Sequence, residues 1–232
     1  MILSESWFQH QWEIFEKCFL RDDRYKLLIS GVGVTIKVSI LAALMGLVIG
    51  FLIALCNLSK KKGLNIFGKI YTDIIRGTPS VTQLMIIYFV VFRTVDWPKW
   101  IIAAIAFSIN SGAYVSEIIR AGILSIEKGQ SEAGRSLGLS KAQTMMYIIV
   151  PQAVKNIFPA MCNEFITLIK ETAIVGYVGL VDIQKAGDFI KSATYEAFMP
   201  LIATAIIYFI MIKVLTLLLG KVEKRLRKSD KR

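Results

Sequence analysis

Six polar side chains in one apolar stretch could act together: Asn156, Asn163, Glu164, Thr167, Lys170 and Glu171. At ~100° per residue they fall within an arc of about 120° on one helix, with Ile157, Phe158, Met161, Phe165, Leu168 and Ile169 on the far side. The Glu164 carboxylate could receive an ammonium or guanidinium group, or pair with Lys170 or with a neighbouring helix. A charge in a membrane span costs on the order of 3 kcal/mol, so Glu164 must face protein or water, not lipid. A second polar pair, Asn110 and Tyr114, lies four residues apart within SINSGAY and suits either interhelical hydrogen bonds or a pathway lining. No stretch fits G-x-x-x-x-G-K-[ST], and no nucleophile stands beside a base. Glu171, Asp182 and Asp188 are too scattered, and too far from any histidine, to make a catalytic cluster. The expected catalytic and metal-ligating residues are therefore none.

A third group, EAGRSLGLSKAQTMMYIIVP from Glu132 to Pro151, is charged and punctuated by glycine. Its first part predicts a short helix at about 131–140 whose exposed side lacks bulk at Gly134 and Gly138, suited to close docking against another protein. Ser140 followed by Gln143 reads as a capping box that starts a second helix, and Pro151 frees a backbone carbonyl and permits a bend.

These groups need a scaffold, and the composition says which kind. Of 232 residues 55% are hydrophobic and the mean hydropathy is +0.57, the profile of an all-α integral membrane protein. The net charge of +11 lies beside apolar runs, without the interleaved aromatics of a nucleic-acid stripe, so lipid headgroups and topology account for it and no nucleic acid is expected. Cys18, Cys56 and Cys162 have neither disulfide nor metal-ligand spacing, and His10 is a lone surface imidazole. No cleavable signal is visible, so the first span is expected to serve as the targeting signal.

Five transmembrane helices are expected. Residues 1–28 alternate aromatics and charges and predict an interfacial segment. The spanning domain covers 29–220. Its first span runs from about Ile29 to Leu58, with small residues for close packing and Lys37 snorkelling near its outer end. The second is short, from Pro79 to Val95, with Thr78 as its cap and Ile66 to Ile75 as an inclined approach helix. The third runs from Trp100 to about Gly122, where Glu117 and Arg120 can pair at three-residue spacing. The fourth carries the polar face. Ala173 to Val181 is too short to cross and predicts a re-entrant or interfacial piece, Asp182 to Glu196 a polar external segment, and Phe198 to Leu219 the fifth span. A basic cytoplasmic tail, 221–232, follows. With the amino terminus outside and the carboxyl terminus inside, sixteen Lys and Arg fall on the cytoplasmic side against nine opposite, as positive-inside topology requires.

On Glu132, Ala133, Gly134, Gly138, Ile148 and Pro151 the third group resembles the EAA loop of ABC importer permeases, with Ala-Gly in place of the usual Ala-Ala. Arg76, Gly77, Thr78 and Pro79 resemble the Arg-Gly-Thr-Pro signature of the polar amino acid (histidine/glutamine/arginine-type) branch. NSGAYVSEIIRAGI and NEFITLIKETA are similar to further segments of that branch.

The resemblance implies a type I importer permease in the bacterial cytoplasmic (inner) membrane, forming a multi-pass translocation pathway. It implies a cytoplasmic coupling helix, with Glu132, Ala133, Gly134, Arg135, Gly138 and Leu139 meeting an ABC ATPase subunit dimer, and a gating or structural role for Arg76 to Pro79 and Pro151. Pathway residues would be Asn110, Tyr114, Asn163, Glu164, Thr167 and Lys170. The chain would bind no cofactor, ATP and Mg residing on the partner ATPase. Its other partners would be a second permease subunit, the same or related, an extracellular or periplasmic amino-acid-binding protein, and membrane lipid. The substrate would be a polar or basic L-amino acid. Another small solute of the same importer class, or a non-transporting membrane scaffold or assembly subunit, is the alternative.

Overall fold

The computed structural model describes residues 2–228, and among these every regular element is helical. Helix α1 (Ile2–Phe15) exposes Trp7, Phe8 and Trp12. It passes through a π turn at Glu16–Leu20 to a break where Asp22 and Asp23 take φ of 57° and 53°. Beyond the break α2 (Tyr25–Leu58) begins, four residues ahead of the expected span. Its apolar run is continuous, but one face carries small residues, and that face packs against α5 (Lys99–Leu124). A Cβ on Gly50 would overlap Val115, and one on Gly112 would sit 2.7 Å from Ile49, so the two backbones approach as closely as small residues allow. Lys37 places its ammonium 3.6 Å from the centre of the Trp100 ring, a cation–π contact that shields the charge.

Helix α3 (Lys62–Arg76) is amphipathic and turns by 103° into α4 (Ser80–Ile86), which runs on through a π turn at Ile87–Val91. The bend differs from expectation. Pro79, not Thr78, has the N-cap geometry (φ −62°, ψ 135°), and Thr78 turns its hydroxyl back to donate to Ile74 O at 2.9 Å. Gln83 staples the bend, its amide nitrogen donating to Ile75 O, Thr78 O and Thr78 Oγ1.

After α5 come α6 (Lys128–Ser136), α7 (Lys141–Thr144) with a π turn at Met145–Ile149, and α8 (Val150–Glu171). Pro159 lies inside α8 as a second imino residue beyond Pro151. A 3-10 turn, Thr172–Val178, buries Val175 and Val178 in a core with Val38, Ala42, Leu84, Phe107 and Leu168, as a re-entrant piece would.

The next segment, expected to be polar and external, is an amphipathic helix with one face buried. Asp182 caps α9 (Ile183–Thr194), accepting from Gln184 N and Lys185 N, and α9 lies between α2 and α10 (Phe198–Lys228) with Ile183, Ala186 and Ile190 fully buried. Polar residues that alternate with these apolar ones in sequence fall on the opposite face of a helix, so mean polarity concealed an amphipathic element. Residues 221–228 of the basic tail continue α10, and 229–232 lie outside the described residues.

By length and apolarity α2, α5 and α10 can each cross a membrane, and the bent pair α3–α4 makes a fourth if it acts as one span. Helix α8 has 22 residues but carries Lys155, Glu164, Lys170 and Glu171. Its place as a crossing therefore depends on what covers its polar face.

Candidate functional site

Two surfaces gather the residues singled out by sequence. The first is the projection formed by α6 and α7. Helix α6 stops where Gly138 takes φ 80°, a left-handed conformation strained for any residue with a Cβ. Leu139 N donates to Gly134 O at 3.1 Å and Gly138 N to Arg135 O at 3.0 Å, the paired bonds of a Schellman end. Ser140 then opens α7 with both halves of the capping box, Gln143 N to Ser140 Oγ at 3.3 Å and Ser140 N to Gln143 Oε1 at 2.9 Å.

Gly134 does not present a bare outer side. It is buried, and a Cβ there would meet Thr144 Cγ2 at 2.7 Å, so it lets α6 rest on the following helix. Glu132, Ala133, Arg135 and Gly138 face outward, and Leu139 is half-buried. The most prominent apolar side chain is Leu137, 79% exposed between the glycines, which sequence reasoning passed over. Its signal was available: a leucine at the closing turn of a short polar helix has no core of its own to fill.

The second surface is an open cavity of about 780 Å³ between α5 and α8. Tyr114, Glu117, Asn156 and Asn163 line it with Arg76 from the end of α3, and Pro159 and Ala160 give it an apolar floor. The Arg76 guanidinium lies 5.3 Å from the centre of the Tyr114 ring and 3.9 Å from the Glu117 carboxylate. Arg120 forks onto Glu117 from the next turn at 2.8 Å. One carboxylate thus holds two arginines, and the bend after α3 is tied to α5.

Of the six expected pathway residues, only Tyr114 and Asn163 line this cavity. Asn110 is buried and donates to Gln83 Oε1 at 2.9 Å, the interhelical packing alternative. Glu164 accepts from Ser111 Oγ at 2.8 Å and so pairs across to α5, not with Lys170. Thr167 and Lys170 are exposed with Asn156 and Asn163, forming one uncovered polar stripe along α8. No cluster of metal-ligating side chains occurs among the described residues.

Residues 46–228 match the family described as the binding-protein-dependent transport system inner membrane component. The putative glutamine transport system permease protein GlnP of Rickettsia bellii is 42% identical over 92% of this chain and 99% of its own length. The arginine transport system permease protein ArtQ of Bacillus subtilis is 40% identical over 88% of this chain and 94% of its own. A crystal structure of an amino acid ABC transporter with histidines shares 43% identity, with a TM-score of 0.81 over 89% of this chain and 98% of that one. The inward-facing MetNI methionine ABC transporter has a TM-score of 0.75 at 19% identity, over 87% and 97% of the two chains, a likeness of fold.

Proposed function

The chain belongs to the binding-protein-dependent transport system inner membrane component family, and we propose that it is the pathway-forming permease of an ATP-driven importer for a polar or basic L-amino acid. The observation that carries this reading is the exposed α6 projection, built by a Schellman end and a capping box that hold Leu137 and Glu132 outward. A helix so braced against α7 and α8 transmits a push as a unit instead of deforming. Relatives named as glutamine and arginine permeases support the substrate class.

On this reading α6 seats on an ATPase subunit, where Leu137 fills an apolar pocket and Glu132 offers its carboxylate to a basic group. ATP and Mg are held by that separate subunit, and this chain contributes no catalytic group. An external binding protein delivers the amino acid. Closure of the ATPases drives α6 inward, and the displacement passes through the Gly134–Thr144 contact into α8. The cavity between α5 and α8 then turns outward, with Tyr114 and Asn163 on its wall. The uncovered stripe of Asn156, Asn163, Thr167 and Lys170 faces a second permease subunit, the same chain or a related one, which makes α8 a fifth crossing. The amino terminus lies outside and the α6 projection in the cytoplasm.

The test is co-purification in mild detergent followed by uptake of labelled glutamine, arginine and histidine into vesicles containing the isolated complex. A P-loop ATPase accompanies the wild-type chain, and uptake requires ATP inside the vesicle. Uptake that proceeds unchanged without ATP overturns the reading.

A further inference from the structure

The flank of α3 carries a pattern that, Arg76 apart, neither α6 nor the pathway uses. At ~100° per residue, Lys62, Asn65, Lys69, Asp73 and Arg76 share one edge of the helix, with Lys62, Lys69 and Arg76 repeating every seven residues. Beginning beside this row and continuing around the helix, Ile66, Phe67, Ile70 and Ile74 are all exposed, from 44% to 58%. A third side, carrying the buried Gly68 and Thr72, rests on the bundle. A helix that packs by one side, offers lipid a second and rims it with cations lies in the plane of the membrane interface. The 103° turn into α4 gives it that orientation.

Behind the cationic row is a groove of about 400 Å³ bounded by Asn65, Lys69, Asp73, Arg76, Glu117 and Arg120. Arg76 and Arg120 already face Glu117. Lys60, Lys61, Lys62 and Lys69 have no carboxylate within ion-pairing distance among the described residues, and all four are exposed. Asp73 on the same edge has no ion pair either and offsets one of them, so the net charge is positive and sits where an apolar face begins.

We propose that this edge of α3 is a binding site for an anionic phospholipid, its phosphate held by Lys62 and Lys69 at the mouth of the groove and its acyl chains lying over Ile66, Phe67 and Ile70. Free phosphate offers the same anionic oxygens, but only a lipid also covers the apolar face. Each lysine near an anionic bilayer surface adds to the attraction, so the row acts collectively. A lipid seated there fixes the approach helix on which the Arg76–Pro79 bend pivots.

The experiment is native mass spectrometry of the full chain released from nanodiscs of phosphatidylcholine with about 20% phosphatidylglycerol, chosen to present an anionic headgroup. Wild type retains phosphatidylglycerol in preference to phosphatidylcholine. The triple variant Lys61→Gln, Lys62→Gln, Lys69→Gln loses that retention about tenfold or more. Lys62→Arg with Lys69→Arg keeps it, as does removal of equal charge at Arg93, Lys99 and Lys185, at the other end of the bundle. All these positions sit outside the buried core, so folding is preserved and is checked by gel filtration. Undiminished retention by the triple variant overturns the proposal. Displacement of the lipid by millimolar inorganic phosphate overturns the lipid assignment in favour of a soluble-anion site.

Discussion

Helices α6 and α9 are both short, nine and twelve residues, and neither can cross a membrane, yet they have opposite fates. Helix α6 buries only Gly134 and holds Leu137 in the open. Helix α9 buries Ile183, Ala186, Gly187, Ile190 and Thr194, and its cap residue Asp182 is fully enclosed while accepting from Tyr208 Oη at 2.9 Å. The first is braced from behind and free in front; the second is enclosed on both sides. Substitutions in α6 should therefore appear in coupling with little change in stability. Those in α9 should appear in stability.

The strongest way to break this contrast is Leu137→Asp. A charge placed on the one prominent apolar knob should lower ATP-driven uptake tenfold or more, while the thermal midpoint stays near wild type because nothing buried is touched. Wild-type uptake by this variant would remove α6 from the coupling role. Next in size is Asp182→Ala, which leaves two helix N–H groups and the Tyr208 hydroxyl without their acceptor and should cost about 2–3 kcal/mol, read as a lowered unfolding midpoint in detergent. Tyr208→Phe removes one of those bonds and should cost about 1 kcal/mol.

The Gly134–Thr144 contact sharpens the comparison, since it is where the one buried residue of α6 meets the following helix. Gly134→Ala gains about 1 kcal/mol of helix propensity but forces a methyl against Thr144, an overlap costing about 1–3 kcal/mol. Uptake should fall severalfold and recover when Thr144→Ala is added. Independent effects of the two substitutions in a double-mutant cycle would detach α6 from α7. The smallest effect is expected from Glu164→Gln. Its amide oxygen can still accept from Ser111, so stability should change by less than about 0.5 kcal/mol, while uptake of arginine falls more than that of glutamine. Equal uptake of both would assign Glu164 to the α5–α8 interface alone.

Much of this architecture was legible along the chain because its signals are local. Ser140 and Gln143 form their box within one turn, whereas Gly138, expected inside the helix at about 131–140, instead ends α6 with a positive φ. The pairing of Glu117 with Arg120 needs only three-residue spacing. Asn110 and Glu164 were left between two roles, and their hydrogen-bond partners, Gln83 and Ser111, lie too far away in sequence to be read from it. Pro159 and Gln83 were passed over, the first for lack of a motif around it. Gln83 could have been noticed as an amide in an apolar run, which needs partners wherever it is buried.

The sequence by itself determined that the chain is helical and membrane-embedded, where its first long spans lie, and to which family its segments are similar. Each of these depends on composition, periodicity or capping, which act over one or two turns. Only the tertiary structure decided that Gly134 faces inward while Leu137 faces out, that α9 is buried, and that Arg76 and Arg120 share Glu117. Those outcomes turn on which helix faces meet, and a helix carries its polar and apolar sides without specifying the neighbour that will cover them.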